Sequence, residues 1–187
     1  MENTLQLQLP TGTWVLDSSA TTVTITARKL LAFRVPATLT ITSGAIEIAD
    51  GRVLSVDVVA DAASYASKNA KRNDHIVGSD FLDAANHPTI RFQAHDAESD
   101  AAGGTASGSI TVKGRTTPIT VAISDIDIDI DGDTATFHAS AVVDRTDLGV
   151  DKLPSSIIGP KLGLTVTAAA SRTDRVPHTI INQPEES

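Results

Sequence analysis

Apolar and polar residues alternate with a period of two along most of this chain. Thr21-Thr-Val-Thr-Ile-Thr26 alternates strictly, as do Thr38-Leu-Thr-Ile-Thr42 and Ala45-Ile-Glu-Ile48. Alternation of this kind is the signature of a strand with one face on an apolar interior and the other in water. The same pattern predicts strands at 55–60, 89–95, 107–112, 119–124, 126–130, 134–143 and 164–170. Turn residues punctuate them: Ser43-Gly44, Asp50-Gly51, Gly103-Gly104, Lys113-Gly114 and Asp131-Gly132-Asp133, with Asp50-Gly51 and Gly132 giving the hairpin signals. An all-β fold follows. A closed antiparallel barrel satisfies every strand edge at once, and an open two-layer sandwich is the alternative that periodicity leaves standing.

One stretch, 62–88, lacks strand character. Ser64-Tyr-Ala-Ser-Lys-Asn-Ala-Lys-Arg72 predicts one or two helical turns, and Ser79-Asp80 is placed to cap a second short helix ending before Asn86. Connections of this length in compact domains are usually functional or packed over something, so 62–88 is expected to lid one end of a barrel. Residues 1–170 are read as a single domain. Residues 171–187, with two prolines and several charges, are read as a mobile tail, with docking of 176–181 as an added strand the alternative.

Composition narrows the class. In a chain of 187 residues, aromatics make up 3% against 41% hydrophobic residues in all, so the interior must be built from Val, Ile, Leu and Ala, which leaves room for a cavity of the kind eight-stranded ligand carriers use. A formal charge of −8 opposes nucleic-acid binding, which depends on Lys and Arg displacing counterions; the densest basic group, Lys68, Lys71 and Arg72, is too short to be such a footprint. There is no cysteine, hence no disulfide, thiolate metal site or thiol nucleophile. The opening Met-Glu-Asn-Thr-Leu-Gln-Leu-Gln-Leu-Pro has an acid where a signal peptide carries positive charge. The expectation is a cytoplasmic protein, or a periplasmic or secreted one if Met1 replaces a removed leader, with no segment that spans a bilayer.

Candidate chemistry is sparse. Asp125-Ile-Asp127-Ile-Asp129-Ile-Asp131-Gly132-Asp133 places Asp129, Asp131 and Gly132 correctly for a calcium loop starting at Asp127, but the twelfth position, which needs a bidentate carboxylate, falls on His138. It reads as an acidic strand face running into an Asp-Gly turn. The histidines His75, His87, His95, His138 and His178 form no local ligand pair, and no metal or cofactor is expected. Ser64 to Lys68 is one residue too long for Ser-x-x-Lys, no Gly-x-Ser-x-Gly occurs, and the Gly103–Gly108 run lacks the lysine of a phosphate loop. His75, beside Arg72 and Asp74, is the best single candidate for a polar role, expected to be a hydrogen bond tying the lid to the barrel mouth.

Several motifs occur in a fixed order: Trp14 and Asp17; Asn69, Arg72 and His75; Asp80, Phe81 and Asp83; Pro88, Ile90 and Phe92; Gly108, Thr111, Gly114, Thr116 and Pro118; Arg145 and Gly149. On these, from about Trp14 to Ala168, the chain closely resembles the YceI-like family of polyisoprenoid-binding, lipocalin-like proteins. Ala20, Asn73, Leu82 and Leu148 stand where that pattern has His, Asp, Phe and Phe. The resemblance implies an eight-stranded lipocalin-like barrel holding a long isoprenoid or related lipid in an apolar tunnel. By strand parity the tunnel wall is expected to comprise Val23, Ile25, Leu39, Ile41, Val56, Val58, Ile90, Phe92, Ile110, Val112, Val121, Ile123, Phe137, Leu164 and Val166, with Phe81 from the lid and Arg72, Asp74 and His75 as its polar groups.

Three readings remain. The leading one is a carrier or scavenger of a polyisoprenoid, isoprenoid quinone or other long-chain lipid. Another is a collapsed barrel acting through a homodimer or other protein contacts. The third is an enzyme using Arg72, Asp74 and His75, against which the absence of a recognisable catalytic motif weighs.

Overall fold

The computed structural model describes residues 9–173 apart from Leu31, Ala101 and Ile130. Its elements run β1 (Gly12–Leu16), β2 (Thr22–Lys29), β3 (Phe33–Ala49), β4 (Arg52–Ala66), α1 (Ala70–Val77), β5 (Thr89–Asp100), β6 (Gly103–Val112), β7 (Arg115–Ile128), β8 (Thr134–Asp144) and β9 (Lys161–Arg172). From β2 onward each strand pairs antiparallel with the next, and β9 returns to pair with β1 and β2. The sheet is therefore a closed up-and-down barrel, not an open sandwich.

Nine strands make eight staves. β1 pairs with the second half of β3 through Gly12↔Ile48 and Val15↔Ala45, and β2 with the first half through Val23↔Leu39 and Lys29↔Phe33. Both also pair with β9, at Leu16↔Ala170 and Val23↔Val166. They run in the same direction end to end, as one stave interrupted at 17–21. The interruption is hydrogen-bonded internally: the Asp17 carboxylate accepts from the Ser19 N–H at 2.9 Å and the Ser19 hydroxyl at 2.6 Å. The buried Thr21 hydroxyl accepts from the Ala169 N–H at 3.3 Å, standing in for the missing strand neighbour.

The long strands differ from their prediction in one recurrent way. Thr38–Thr42 and Ala45–Ile48 belong to a single strand, and so do 119–124 and 126–128; Ile130 lies outside the described residues. Each pair is joined by a bulge instead of a turn, with register shifts at Ile41/Ser43 and Ser124/Asp127. One extra residue flips the pleat, so inward positions change from odd numbers (Leu39, Ile41; Val121, Ile123) to even ones (Ile46, Ile48; Ile126, Ile128). Asp125 takes φ 52° at its bulge. Gly44 is glycine because the Leu16 side chain crosses it: a Cβ there would lie 2.5 Å from Leu16 Cδ1.

True turns fall where the chain has Asp50-Gly51 and Lys113-Gly114. Both residues of each pair have positive φ (52° and 73°; 49° and 72°), as a two-residue type I′ hairpin requires. β4 runs on to Ala66, so the lid begins later than residue 62, and its helix covers Ala70–Val77 instead of 64–72. The second lid helix is absent. Residues 79–87 form turns, with the Phe81 and Asp83 N–H groups donating to the Gly78 carbonyl and Asp83 at φ 49°, a conformation no helix interior allows. Ser171 and Arg172, expected in the tail, complete β9, where Arg172 pairs with Asp133 at 2.8 Å; residues 174–187 lie outside the described residues.

Two predictions follow from this packing. Gly108 faces Gln93 on β5, where an added Cβ would stand 2.1 Å from the Gln93 carbonyl oxygen, so Gly108→Ala is expected to lower unfolding free energy by about 1–3 kcal/mol in urea titration. Asp57, held by the bidentate Arg91 guanidinium, Asp129, holding the Thr134 N–H, and Asp144, holding the Thr146 hydroxyl and N–H, all have carboxyls below the usual range. Groups depressed in the folded state stabilise it above their ordinary pKa, and that contribution is lost as pH falls through the depressed values. The melting temperature should therefore fall on acidification below about pH 4, and the fall should shrink in Asp144→Asn.

Candidate functional site: the barrel interior and its mouth

The connections β2–β3, β4–β5, β6–β7 and β8–β9 gather at one end of the barrel, here called the mouth, and β3–β4, β5–β6 and β7–β8 at the base. Two cavities occupy the interior. The lower, of about 230 Å³, is walled, among the described residues, only by apolar ones, from Trp14, Leu9 and Pro10 near the base up to Leu164 and Val166. Trp14 is buried there because its indole N–H finds a partner, the Pro10 carbonyl at 3.1 Å. The upper cavity, of about 490 Å³, lies under the lid and adds polar residues to an aliphatic wall. Leu39, Ile90, Ile110 and Leu164 line both and form the waist between them.

Every apolar residue expected in the wall lines one of these spaces. Val23, Ile41, Val56, Val58, Phe92, Val121, Ile123, Phe137 and Val166 face the lower cavity; Ile25, Phe81 and Val112 face the upper; Leu39, Ile90, Ile110 and Leu164 face both. Parity missed Ile46, Ile48, Ile126 and Ile128, which the bulges turn inward, and the small wall residues Ala106, Ala135, Ala139, Ala168 and Ala170. The last two simply continue the spacing of Leu164 and Val166.

The lid is seated by its own polar residues. Asn69 caps α1, accepting the Arg72 N–H at 3.0 Å. Asn73 accepts from the Ser67 N–H (2.8 Å) and hydroxyl (2.7 Å) and donates to the Ser67 carbonyl (3.2 Å). An aspartate at 73 could not make that last bond. Arg72 and His75 line the upper cavity, whereas Asp74 is not among its wall residues. His75 does not tie the lid down by a side-chain hydrogen bond; its ring meets buried Phe81 edge-on, centroids 4.9 Å apart at 84°. Tyr65 completes this wall, its phenol pushed up by burial and partly offset by the Arg72 guanidinium.

Arg145 is the functional-site residue whose role sequence reasoning missed. Only 3% exposed, it sits in the upper wall and coordinates four main-chain carbonyls of the β8–β9 connection: Val150 and Leu153 at 2.7 Å, Ile158 at 2.8 Å and Gly159 at 3.2 Å. The motif contained it, but no local pattern announces an arginine that binds carbonyls 5–14 residues away. Among the described residues, no group of three or more His, Asp or Glu is arranged to hold a metal.

The fold and interior define a lipocalin-like antiparallel barrel with an apolar core cavity and a helical lid. The chain belongs to the YceI-like family, whose domain profile matches residues 14–170. Among solved structures it resembles BcnA of Burkholderia cenocepacia (TM-score 0.72, 18% identity, covering 83% of this chain and 99% of that one). It also resembles a polyisoprenoid-binding domain from Saccharophagus degradans implicated in plant cell wall breakdown (TM-score 0.66, 12% identity, 86% and 98% covered). A UPF0312 protein of Pseudomonas aeruginosa is 28% identical over 98 residues; the match spans about half of each chain, 51% of both.

Replacing Arg145 leaves four partly or wholly buried carbonyls without their donor. Arg145→Met is expected to cost on the order of 3 kcal/mol or more in unfolding free energy, and hydrogen exchange should accelerate across 146–160 first. Arg145→Lys, which keeps the charge but not the planar fork, should recover only part of the loss.

Proposed function

We propose that this protein binds a long-chain lipid, such as a polyisoprenoid or isoprenoid quinone, inside the barrel and sequesters or carries it. The observation that carries this reading is the polarity gradient along the interior. Among the described residues the wall below the waist is wholly apolar, and Lys29, Asn69, Lys71 and Arg72 line the space above it. A tail pointing to the base with its polar end at the mouth matches that gradient. Family membership and the name of the Saccharophagus neighbour as a polyisoprenoid-binding domain support the same ligand class.

Burial alone provides the affinity. Each methylene removed from water contributes roughly 0.8 kcal/mol, so about ten carbons contribute on the order of 8 kcal/mol before the costs of association. Specific polar contacts are not needed for the tail. Binding, not catalysis, is the role this supports: Asp74 is not in the cavity wall with Arg72 and His75, and the His75 ring is engaged with Phe81.

Organic extraction of the purified protein followed by mass spectrometry should release a stoichiometric prenyl or acyl species absent from buffer and from an unrelated protein. With added acyl or prenyl ligands, affinity should rise about fourfold per carbon until the interior is full. Ala139→Trp, which fills the lower cavity, should abolish that dependence for the longer tails. A clean extract together with affinity independent of tail length would refute the proposal, and a ligand-free protein that dimerises would favour the interaction reading.

A further inference from the structure

We infer that the mouth of the barrel carries a built docking surface for an anionic lipid bilayer. Three of the exposed large apolar side chains meet at one place: Leu30 (55% exposed) and Phe33 (65%) on the β2–β3 tip, and Ile157 (42%) on the β8–β9 connection. The others among the described residues, Val15, Leu54 and Val142, lie on three different strands. Phe33 is one of only four phenylalanines in the chain, and in an aromatic-poor protein an aromatic ring left in water is an informative placement.

The patch is held in shape by the backbone. The Leu30 N–H donates to the Ile157 carbonyl at 3.0 Å, the Gly159 N–H to the Arg28 carbonyl at 2.8 Å, and Lys29 bridges to Ile158. Tip and connection therefore form one lip. It is continuous with the interior, since Lys29, Ile157 and Ile158 line the upper cavity.

Charge selects the partner. Arg28, Lys29 and Arg34 flank the tip, with no acidic residue between 28 and 34. Lys71 and Arg72 on α1 and Lys152 on the β8–β9 connection add to the same end. Carboxylates are present there too, on Asp147 and Asp151 of that connection and on Asp74, Asp80 and Asp83 of the lid segment. The base carries Glu47, Asp50, Asp125, Asp127, Asp129, Asp131 and Asp133 against the cations Arg52 and Arg172, the latter paired with Asp133. In a chain of net charge −8, this distribution turns the mouth toward an anionic surface and the base away from it. Apolar side chains flanked by Arg and Lys are the composition that seats at a membrane interface, with rings and aliphatic tips among the acyl chains and cations at the headgroups. Seated so, the cavity opens against the bilayer, and a hydrophobic cargo exchanges without crossing water.

The test is flotation of the full chain with vesicles of phosphatidylcholine alone or of phosphatidylcholine mixed with phosphatidylglycerol, whose negative surface potential attracts such cationic patches. It reads the surface, not cavity occupancy, so its result is independent of the extraction experiment. The protein should float with the anionic vesicles, weaken with added salt, and bind neutral vesicles poorly. Phe33→Ser should lose about tenfold or more in binding. The double change Arg28→Glu with Arg34→Glu should lose at least about 25-fold, since each cation near such a surface contributes roughly fivefold. Leu54→Ser, at an exposed apolar site on β4 near the base, should bind as the parent does, and circular dichroism should show all variants folded. Equal binding to both vesicle types, no binding, or binding unaffected by Phe33→Ser would overturn the inference. So would a dimer in sedimentation velocity that Phe33→Ser dissolves, which would assign the lip to a second copy of the chain.

Discussion

Ring closure is the constraint from which the rest of this structure follows. A sheet closed on itself must give every stave a partner on both sides, and long, twisted staves can meet that demand only by bending. The bends are bulges, in β3 against β4, in β5 against β6 and in β7 against β8. Each changes which residues face inward. The interrupted first stave is another answer to the same demand: Asp17 and Thr21 satisfy backbone groups that a continuous strand would have satisfied. The side-chain composition of the interior is thus set by where the backbone breaks its own periodicity.

The interior has space because of what fills it. Six aromatic residues in the whole chain, of which Phe33 is left exposed at the lip, leave branched aliphatics and alanines to occupy a barrel that they cannot close-pack. Small residues are concentrated on β8 and β9, where Ala135, Ala139, Ala168 and Ala170 widen the lower cavity. At the waist the larger Leu39, Ile90, Ile110 and Leu164 narrow it. These four aliphatic side chains, not the hydrogen-bonded wall, form the boundary between the two spaces.

Most strands were legible because alternation is a local property, and so were most wall residues, because parity within an unbroken strand is reliable. Where alternation faltered, at Ser43-Gly44, the sequence looked like a turn, and at Asp125 like a break between two strands. A bulge and a turn share the same composition, glycine or a residue tolerant of positive φ; only pairing with β4 or β8 distinguishes them. The lid was located but its detail was not. Its helix starts late because β4 uses residues up to Ala66, and 79–87 hydrogen-bonds back to Gly78, Ile76 and Val77 instead of forming a second helix. Arg145 shows the limit most clearly, since its partners are carbonyls whose residues leave no mark in the local pattern.

That arginine also bears on how such a barrel can vary. All four acceptors are main-chain oxygens, which every residue type possesses. The path of the β8–β9 connection is therefore specified largely by its first residue, which follows β8 directly, and by a few of its own apolar side chains, Leu148 and Val150 among them, that pack into the upper core. Its solvent-facing positions are left without a structural duty. A lineage can rewrite them, and with them the chemical character of half the rim, while inheriting the same architecture intact.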